Sequence, residues 1–168
     1  LSRLVDDLLL LARLDSGAPR RAELVDIAAL VGSPDGSDTP GVDLFVEGDP
    51  VALRRMLDNL VVNARRYANG RVDVAAHRDG ADVVITVDDD GPGIPSGDRE
   101  RVFERWLRLD DSRGRDDGGA GLGLAIVRSI AQAHGGDAEL DTSQLGGLRA
   151  VVRLPATTPA RTSSEIRR

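Results

Sequence analysis

The ten residues from Thr86 to Pro95, TVDDDGPGIP, constrain this chain more than any other stretch. A β-type apolar run, Val83, Val84, Ile85 and Val87, stops at three successive carboxylates and then at two glycines separated by a proline. A strand ending in this way feeds a binding loop. Gly91 and Gly93 let the backbone approach a flat ligand and take torsions closed to other residues, while Pro92 and Pro95 stiffen the loop. A carboxylate leading such a loop can accept hydrogen bonds from an exocyclic amine. Taken alone, DDDGPG reads equally well as an acidic turn, since turns favour the same residue types. The rest of the chain decides between the two.

A chain of 168 residues can bury roughly two-thirds of its unfolded surface, which implies one compact domain with a short appendage. Its net charge of −6 argues against a nucleic-acid partner, whose binders carry a clustered basic excess. Any phosphate must be held locally. All 22 basic residues are arginine, and the absence of cysteine excludes disulfides and thiolate metal sites. With His77 and His134 as its only histidines, the chain is not expected to hold zinc. No run approaches the ~18 apolar residues of a membrane span, and the chain opens without Met or a leader-like segment, so it is expected to be a soluble piece of something longer.

The opening LSRLVDDLLLLARL places Leu1, Leu4, Val5, Leu8, Leu11 and Ala12 on one helical face, and Asp15 to Gly17 with Pro19 supply the stop. That face either packs on the domain or forms the seam of a bundle with another chain, and its spacing favours the bundle. Asp26 fits the cap of a short helix, IAALV, before a loop from Gly32 to Gly41, and VDLFVE from Val42 to Glu47 fits a strand. Asp49 as cap and Pro50 in the first turn open a helix running through Ala68.

On that helix Leu53, Met56, Leu57, Leu60, Ala64 and Tyr67 form the apolar stripe. Asn59 and Asn63 fall on one margin of it, with Arg66 close by. The two amides are either solvated or bonded to neighbouring backbone, or wait for a partner, since an unpaired buried polar group costs about 1–3 kcal/mol. Arg71 to Ala76 reads as a strand, His77 to Gly80 as a hairpin connection and Asp82 to Val87 as its return. His77 is expected to be a plain exposed side chain.

Asp98 to Arg108, DRERVFERWLR, reads as a short amphipathic segment docking Val102, Phe103, Trp106 and Leu107, and the polar stretch Leu109 to Asp117 as a lid. GGAGLGL, Gly118 to Leu124, opens a helix that ends at Gly135 and Gly136. A glycine-rich turn at a helix N-terminus offers free N–H groups to an anion, although no GK[ST] follows as it would in a P-loop. Glu139 to Thr142 and Arg149 to Leu154 complete the sheet as a hairpin around Gly146 and Gly147, and from Pro155 onward the composition is that of a tail.

Taken together, NLVVNARRYA, DDDGPGIP, RVFERWLRLDDSR and GGAGLGLAIVRSIAQAHGG, in this order, closely resemble the ATP-binding catalytic domain of sensor histidine kinases over about residues 24–155. The resemblance implies an α+β two-layer sandwich of the Bergerat type, a mixed and mostly antiparallel sheet against helices. It divides the chain into residues 1–17, similar to the second helix of the family's dimerisation and phosphotransfer hairpin, the domain 24–155 and a disordered tail 156–168. Carried over by position, Asp89 accepts from the adenine amine and Gly91, Gly93 and Ile94 line the base pocket. Asn63 is the Mg²⁺ ligand, with Asn59 beside it on the phosphate side. Arg66 and Tyr67 lie near the phosphates and base, Arg108 reaches toward the γ-phosphate, and Gly119, Gly121, Leu122, Gly123 and Leu124 close over the triphosphate. The catalytic set is Asn59, Asn63, Arg66 and Arg108.

ATP and Mg²⁺ are the implied cofactors, and a response-regulator receiver domain and a second copy joined through the opening helix are the implied partners. The whole protein would be membrane-anchored, with this segment cytoplasmic. Where related hydrolases have a water-activating Glu, this chain has Asn59, which favours transfer to a histidine outside the segment over hydrolysis. A nucleotide-gated module without transfer, and a serine kinase of the anti-sigma type, are the alternatives. Two departures stand out. Asp90 replaces a frequent Asn, and residues 24–49 are short where the family has a longer helix and a first strand.

Overall fold

The computed structural model describes residues 2–17, 22–32, 44–107 and 121–158, with side chains from residue 4 onward. In chain order the elements are α1 (Ser2–Asp15), β1 (Glu23–Asp26), α2 (Ile27–Val31), β2 (Phe45–Gly48), α3 (Pro50–Tyr67), β3 (Val72–Asp79), β4 (Asp82–Asp89), two 3-10 turns (Ser96–Asp98 and Arg101–Phe103), α4 (Gly123–Ala133), β5 (Asp137–Thr142) and β6 (Leu148–Pro155). Among the described residues β3, β4, β6 and β5 form a four-stranded sheet in that spatial order, with every pairing antiparallel. Helices α3 and α4 pack on each other and on one face of it, which gives the expected α+β two-layer sandwich.

Alternation along β4 explains the layering. Val83, Ile85, Val87 and then Asp89 point to the helices, while Val84, Thr86 and Asp88 point to the outer face. The inner residues meet Leu53, Met56, Leu57 and Leu60 of α3 and Ile126, Val127 and Ile130 of α4 in one core. The side chain of Asp49 caps α3 by accepting from Val51 N at 2.8 Å and Ala52 N at 3.2 Å, with Pro50 at the first helical position as expected. Asp26 caps α2 in the same way, accepting from Ala28 N at 2.9 Å.

The start of the chain departs from expectation in two respects. Residues 23–26 form a strand, antiparallel to β2 in a separate two-stranded ribbon, rather than only the approach to a helix. Helix α1 splits its apolar residues between two faces. Leu11 enters the core at 1% exposure with Leu10 and Leu14 beside it, and Asp7 pairs with Arg55 of α3, whereas Leu4, Val5, Leu8 and Leu9 remain exposed. Docking on the domain and an uncovered seam therefore coexist on one helix. The loop expected from Gly32 to Gly41 lies, beyond Gly32, outside the described residues.

Three further expectations are corrected. His77 lies within β3, exposed and opposite Val84, because pairing continues to Asp79 and Asp82 and the turn is only Gly80 and Ala81, with Gly80 at φ 57°. Trp106 is not an anchor but is 55% exposed, since the helical turn breaks at Glu104, which is extended, after Phe103. Val102 and Phe103 are buried as expected, and the Arg128 guanidinium of α4 lies 3.7 Å from the Phe103 ring centre. Chain order also persists past Pro155. Ala156 bridges Val46, and Thr157 N donates to Phe45 O at 2.7 Å, so the first residues of the expected tail are paired to the β1–β2 ribbon.

Candidate functional site

The three carboxylates that end β4 have three different fates. Asp88 faces the outer side, where its Oδ1 accepts from Arg149 Nε at 2.8 Å and Ser143 Oγ at 2.7 Å, and donating to this carboxylate holds the Arg149 guanidinium above its ordinary pKa. Asp90 accepts backbone N–H groups from Asn69 at 2.8 Å and from Gly70 and Arg71 at 3.1 Å each, closing the turn between α3 and β3. Its carboxyl lies below the usual range, chiefly through the Arg71 N–H. Its three amide bonds explain why a carboxylate is accommodated at a position where the resemblance leads one to expect Asn.

Asp89 alone points into the sandwich, at 3% exposure. Its Oδ1 accepts from Gly91 N at 2.8 Å and Leu148 N at 3.1 Å, and no hydrogen bond reaches its Oδ2 among the described residues. The surrounding backbone leaves no room for side chains. A Cβ on Gly91 would sit 2.4 Å from Tyr67 O, and one on Gly147 would sit 2.3 Å from Asp89 Oδ1. The loop after β4, the C-terminus of α3 and the β5–β6 turn thus converge on one carboxylate. Gly93, at φ 70°, needs the freedom of glycine.

Along α3, Asn59 and Asn63 are both half-buried on the margin of the stripe. The Asn59 Nδ2 is buried with no hydrogen-bond partner among the described residues, so the reading of this amide as solvated or bonded to backbone fails. Its Oδ1 lies 3.9 Å from where a Gly123 side chain would begin, so it faces the start of α4. Arg66 and Tyr67 are exposed at the end of the helix, the guanidinium 5.6 Å from the ring centre. Tyr67, expected in the stripe, is 42% exposed.

Helix α4 opens without a side-chain cap at Leu122, which leaves its first-turn N–H groups to face the Asn59 side of the cleft. Gly121, at φ 70°, accepts from Trp106 N at 3.0 Å through its carbonyl, and a Cβ there would lie 3.0 Å from Leu107 O. Leu122 is buried, and Gly123 and Leu124 form the first turn. Arg108 and Gly119, and the segment read as a lid, lie outside the described residues. A cavity of about 400 Å³ lies at the opposite end of α4, against Gly48 and His134.

Two contributors are absent from the residues singled out by sequence. Gly147 and the Leu148 N–H fix Asp89, yet GG between two strands signals only a turn, and a backbone amide leaves no mark on residue type. Among the described residues no group of three or more His, Cys, Asp or Glu side chains could hold a metal by itself. A hard cation drawing most of its oxygen ligands from phosphates and one from an amide fits such a site.

A fixed carboxylate, a buried amide unpaired among the described residues and the start of α4 lie together on the inner side of one antiparallel sheet. The chain belongs to the family described as Histidine kinase-, DNA gyrase B-, and HSP90-like ATPase, which it matches over residues 48–158. It is 42% identical over 166 residues to the sensor protein RstB of Escherichia coli strain K12, covering 89% of this chain and 37% of RstB. Among solved structures, the ATP binding domain of PrrB from Mycobacterium tuberculosis is 34% identical with a TM-score of 0.64, covering 82% of this chain and 98% of that one. Full-length ShkA in complex with AMPPNP is 31% identical with a TM-score of 0.71, covering 94% of this chain and 36% of that one. The chain spans about a quarter to a third of the length of the curated relatives it matches.

Proposed function

We propose that this chain binds Mg·ATP between α3, α4 and the loop after β4, and donates the γ-phosphoryl group to a histidine outside the segment. The observation that carries the reading is Asp89, held by two backbone amides through Oδ1 while Oδ2 stays available for an exocyclic amine. Gly91, Gly93 and Ile94 line the base side. Asn63 supplies an amide oxygen to Mg²⁺, Asn59 Nδ2 donates to a phosphate oxygen, and the first-turn N–H groups of α4 receive the remaining phosphate charge, with Arg66 and Arg108 as cations. Mg²⁺, when bound, neutralises charge on the β- and γ-phosphates. In the transfer the bond from the γ-phosphorus to the ADP oxygen breaks, a bond from phosphorus to an imidazole nitrogen forms, and ADP leaves.

The side chain next to the phosphates on α3 is the amide of Asn59, which cannot act as a base toward water, and this supports transfer over hydrolysis. The phosphorylated histidine would pass its group to an aspartate of a response-regulator receiver domain. Helix α1 would belong to the dimerisation segment, its exposed Leu4, Val5, Leu8 and Leu9 covered by another helix. No helix among the described residues is long and apolar enough to cross a membrane. A requirement for ATP would put the segment on the cytoplasmic side of an anchored protein. Incubation with Mg·ATP and a separately supplied histidine-bearing helical hairpin should phosphorylate the hairpin. Nucleotide binding without transfer would leave the alternative of a nucleotide-gated module.

A further inference from the structure

We propose that Arg99 is the residue that positions the base-facing loop, and that it thereby governs discrimination between purine bases. The inference rests on the nucleotide reading above and extends it to a side chain outside the binding set. Arg99 Nε donates to Ile94 O at 3.0 Å, Nη1 to Asp141 Oδ1 at 3.1 Å and Nη2 to Thr142 Oγ1 at 2.7 Å. One guanidinium therefore ties the far end of the loop to the last two residues of β5.

The loop has little else to hold it. Its near end is fixed by Gly91 N on Asp89, but among the described residues no backbone–backbone hydrogen bond involves Pro92, Gly93 or Ile94. The loop and the β5–β6 turn line an open cleft of about 250 Å³, whose walls include Pro92, Gly93, Ile94, Arg99, Thr142 and Gly147. The Ile94 carbonyl is thus placed by a planar fork spanning three acceptors, a geometry that the single ammonium of Lys cannot reproduce. Releasing it lets the loop shift relative to Asp89. Recognition of the base depends on that separation, whereas the phosphates are held by α3 and α4.

Calorimetric titration of the 168-residue chain with Mg·ATP and Mg·GTP tests this, with the melting temperature of each variant as a check on folding. The wild-type chain should prefer ATP. Arg99→Ala and Arg99→Lys should weaken ATP binding about tenfold and leave GTP binding within about twofold, so that the preference falls, and Thr142→Val should produce an intermediate loss of about threefold. Equal weakening of both nucleotides, or an unchanged preference, would overturn the positioning role. A wild-type chain that binds neither nucleotide would instead overturn the nucleotide reading, and this proposal with it.

Discussion

The backbone N–H of Asp49 donates to His134 Nε2 at 3.1 Å and so ties the N-terminus of α3 to the C-terminus of α4. The other ring nitrogen, Nδ1, lies 2.7 Å from Ile130 O, to which it donates, so the imidazole is neutral with its proton on Nδ1. Gly48 gives the ring its space, since a Cβ there would lie 2.4 Å from the ring carbon Cδ2. This histidine serves the fold at the C-terminal end of α4, opposite the Gly123 end that Asn59 borders. His134→Ala leaves the Asp49 amide without its acceptor and opens a void, with an expected loss of about 1–3 kcal/mol by denaturant unfolding. ATP affinity measured at a temperature where the variant remains folded should change little.

Gly147→Ala tests the cradle of Asp89. The added carbon would fall 2.5 Å from both Asp89 O and Gly91 N as well as against the carboxylate, and these are backbone atoms that cannot swing aside. Overpacking of this kind costs about 1–3 kcal/mol. The expected outcome is a lower melting temperature together with a loss of ATP affinity of at least about tenfold. Gly146→Ala serves as the comparison. Nothing crowds a Cβ at that position, so its φ of 100° imposes backbone strain alone.

Asn59 separates stability from function. Its buried Nδ2, unpaired among the described residues, is a liability to the ligand-free protein and would become an asset once a phosphate oxygen arrives. Asn59→Leu is therefore expected to leave the ligand-free chain as stable as wild type or up to about 1 kcal/mol more stable, while ATP binding falls. Paired denaturation and titration experiments check both arms. Destabilisation without a change in affinity would show that the amide serves the fold.

Asp90 sets an acid limb. Its folded pKa is depressed, mainly by the Arg71 N–H and further by those of Gly70 and Asn69, so its contribution is fully present above the unfolded value of about 4. That contribution is lost as pH falls through the lower, folded value. Asp90→Asn, which keeps an acceptor oxygen but does not titrate, lacks that contribution at every pH, so it should be less stable than wild type at pH 7 and converge on it in acid, which flattens the profile below about pH 4. Thermal melts across that range provide the measurement.

Much of this architecture was legible in residue order. Asp49–Pro50 announced α3, the apolar run of β4 announced a strand feeding a loop, and the glycine stretch before α4 announced a helix start, because each rests on local chemistry. The misplaced features depend on contacts distant in sequence. Residues 23–26 form a strand only because β2 lies beside them, itself bordered on its other edge by Ala156 and Thr157. Trp106 turns outward because its N–H reaches Gly121, at φ 71° for a bulky side chain. Residue type singled out Asp89 and Asn59 in the sequence, whereas backbone donors leave no mark on it. Leu148 contributes only its N–H to Asp89, and Arg99 acts on a carbonyl, so neither role is marked by residue type.

The most direct test is calorimetric titration of Mg·ATP into the wild-type chain and into Asp89→Asn, which keeps Oδ1 for the two backbone amides but replaces the free carboxylate oxygen with a donor. Saturable 1:1 binding by the wild-type chain and its loss in the variant, with both chains folded, is the expected result. Equal affinity in the two would contradict recognition of the base by Asp89.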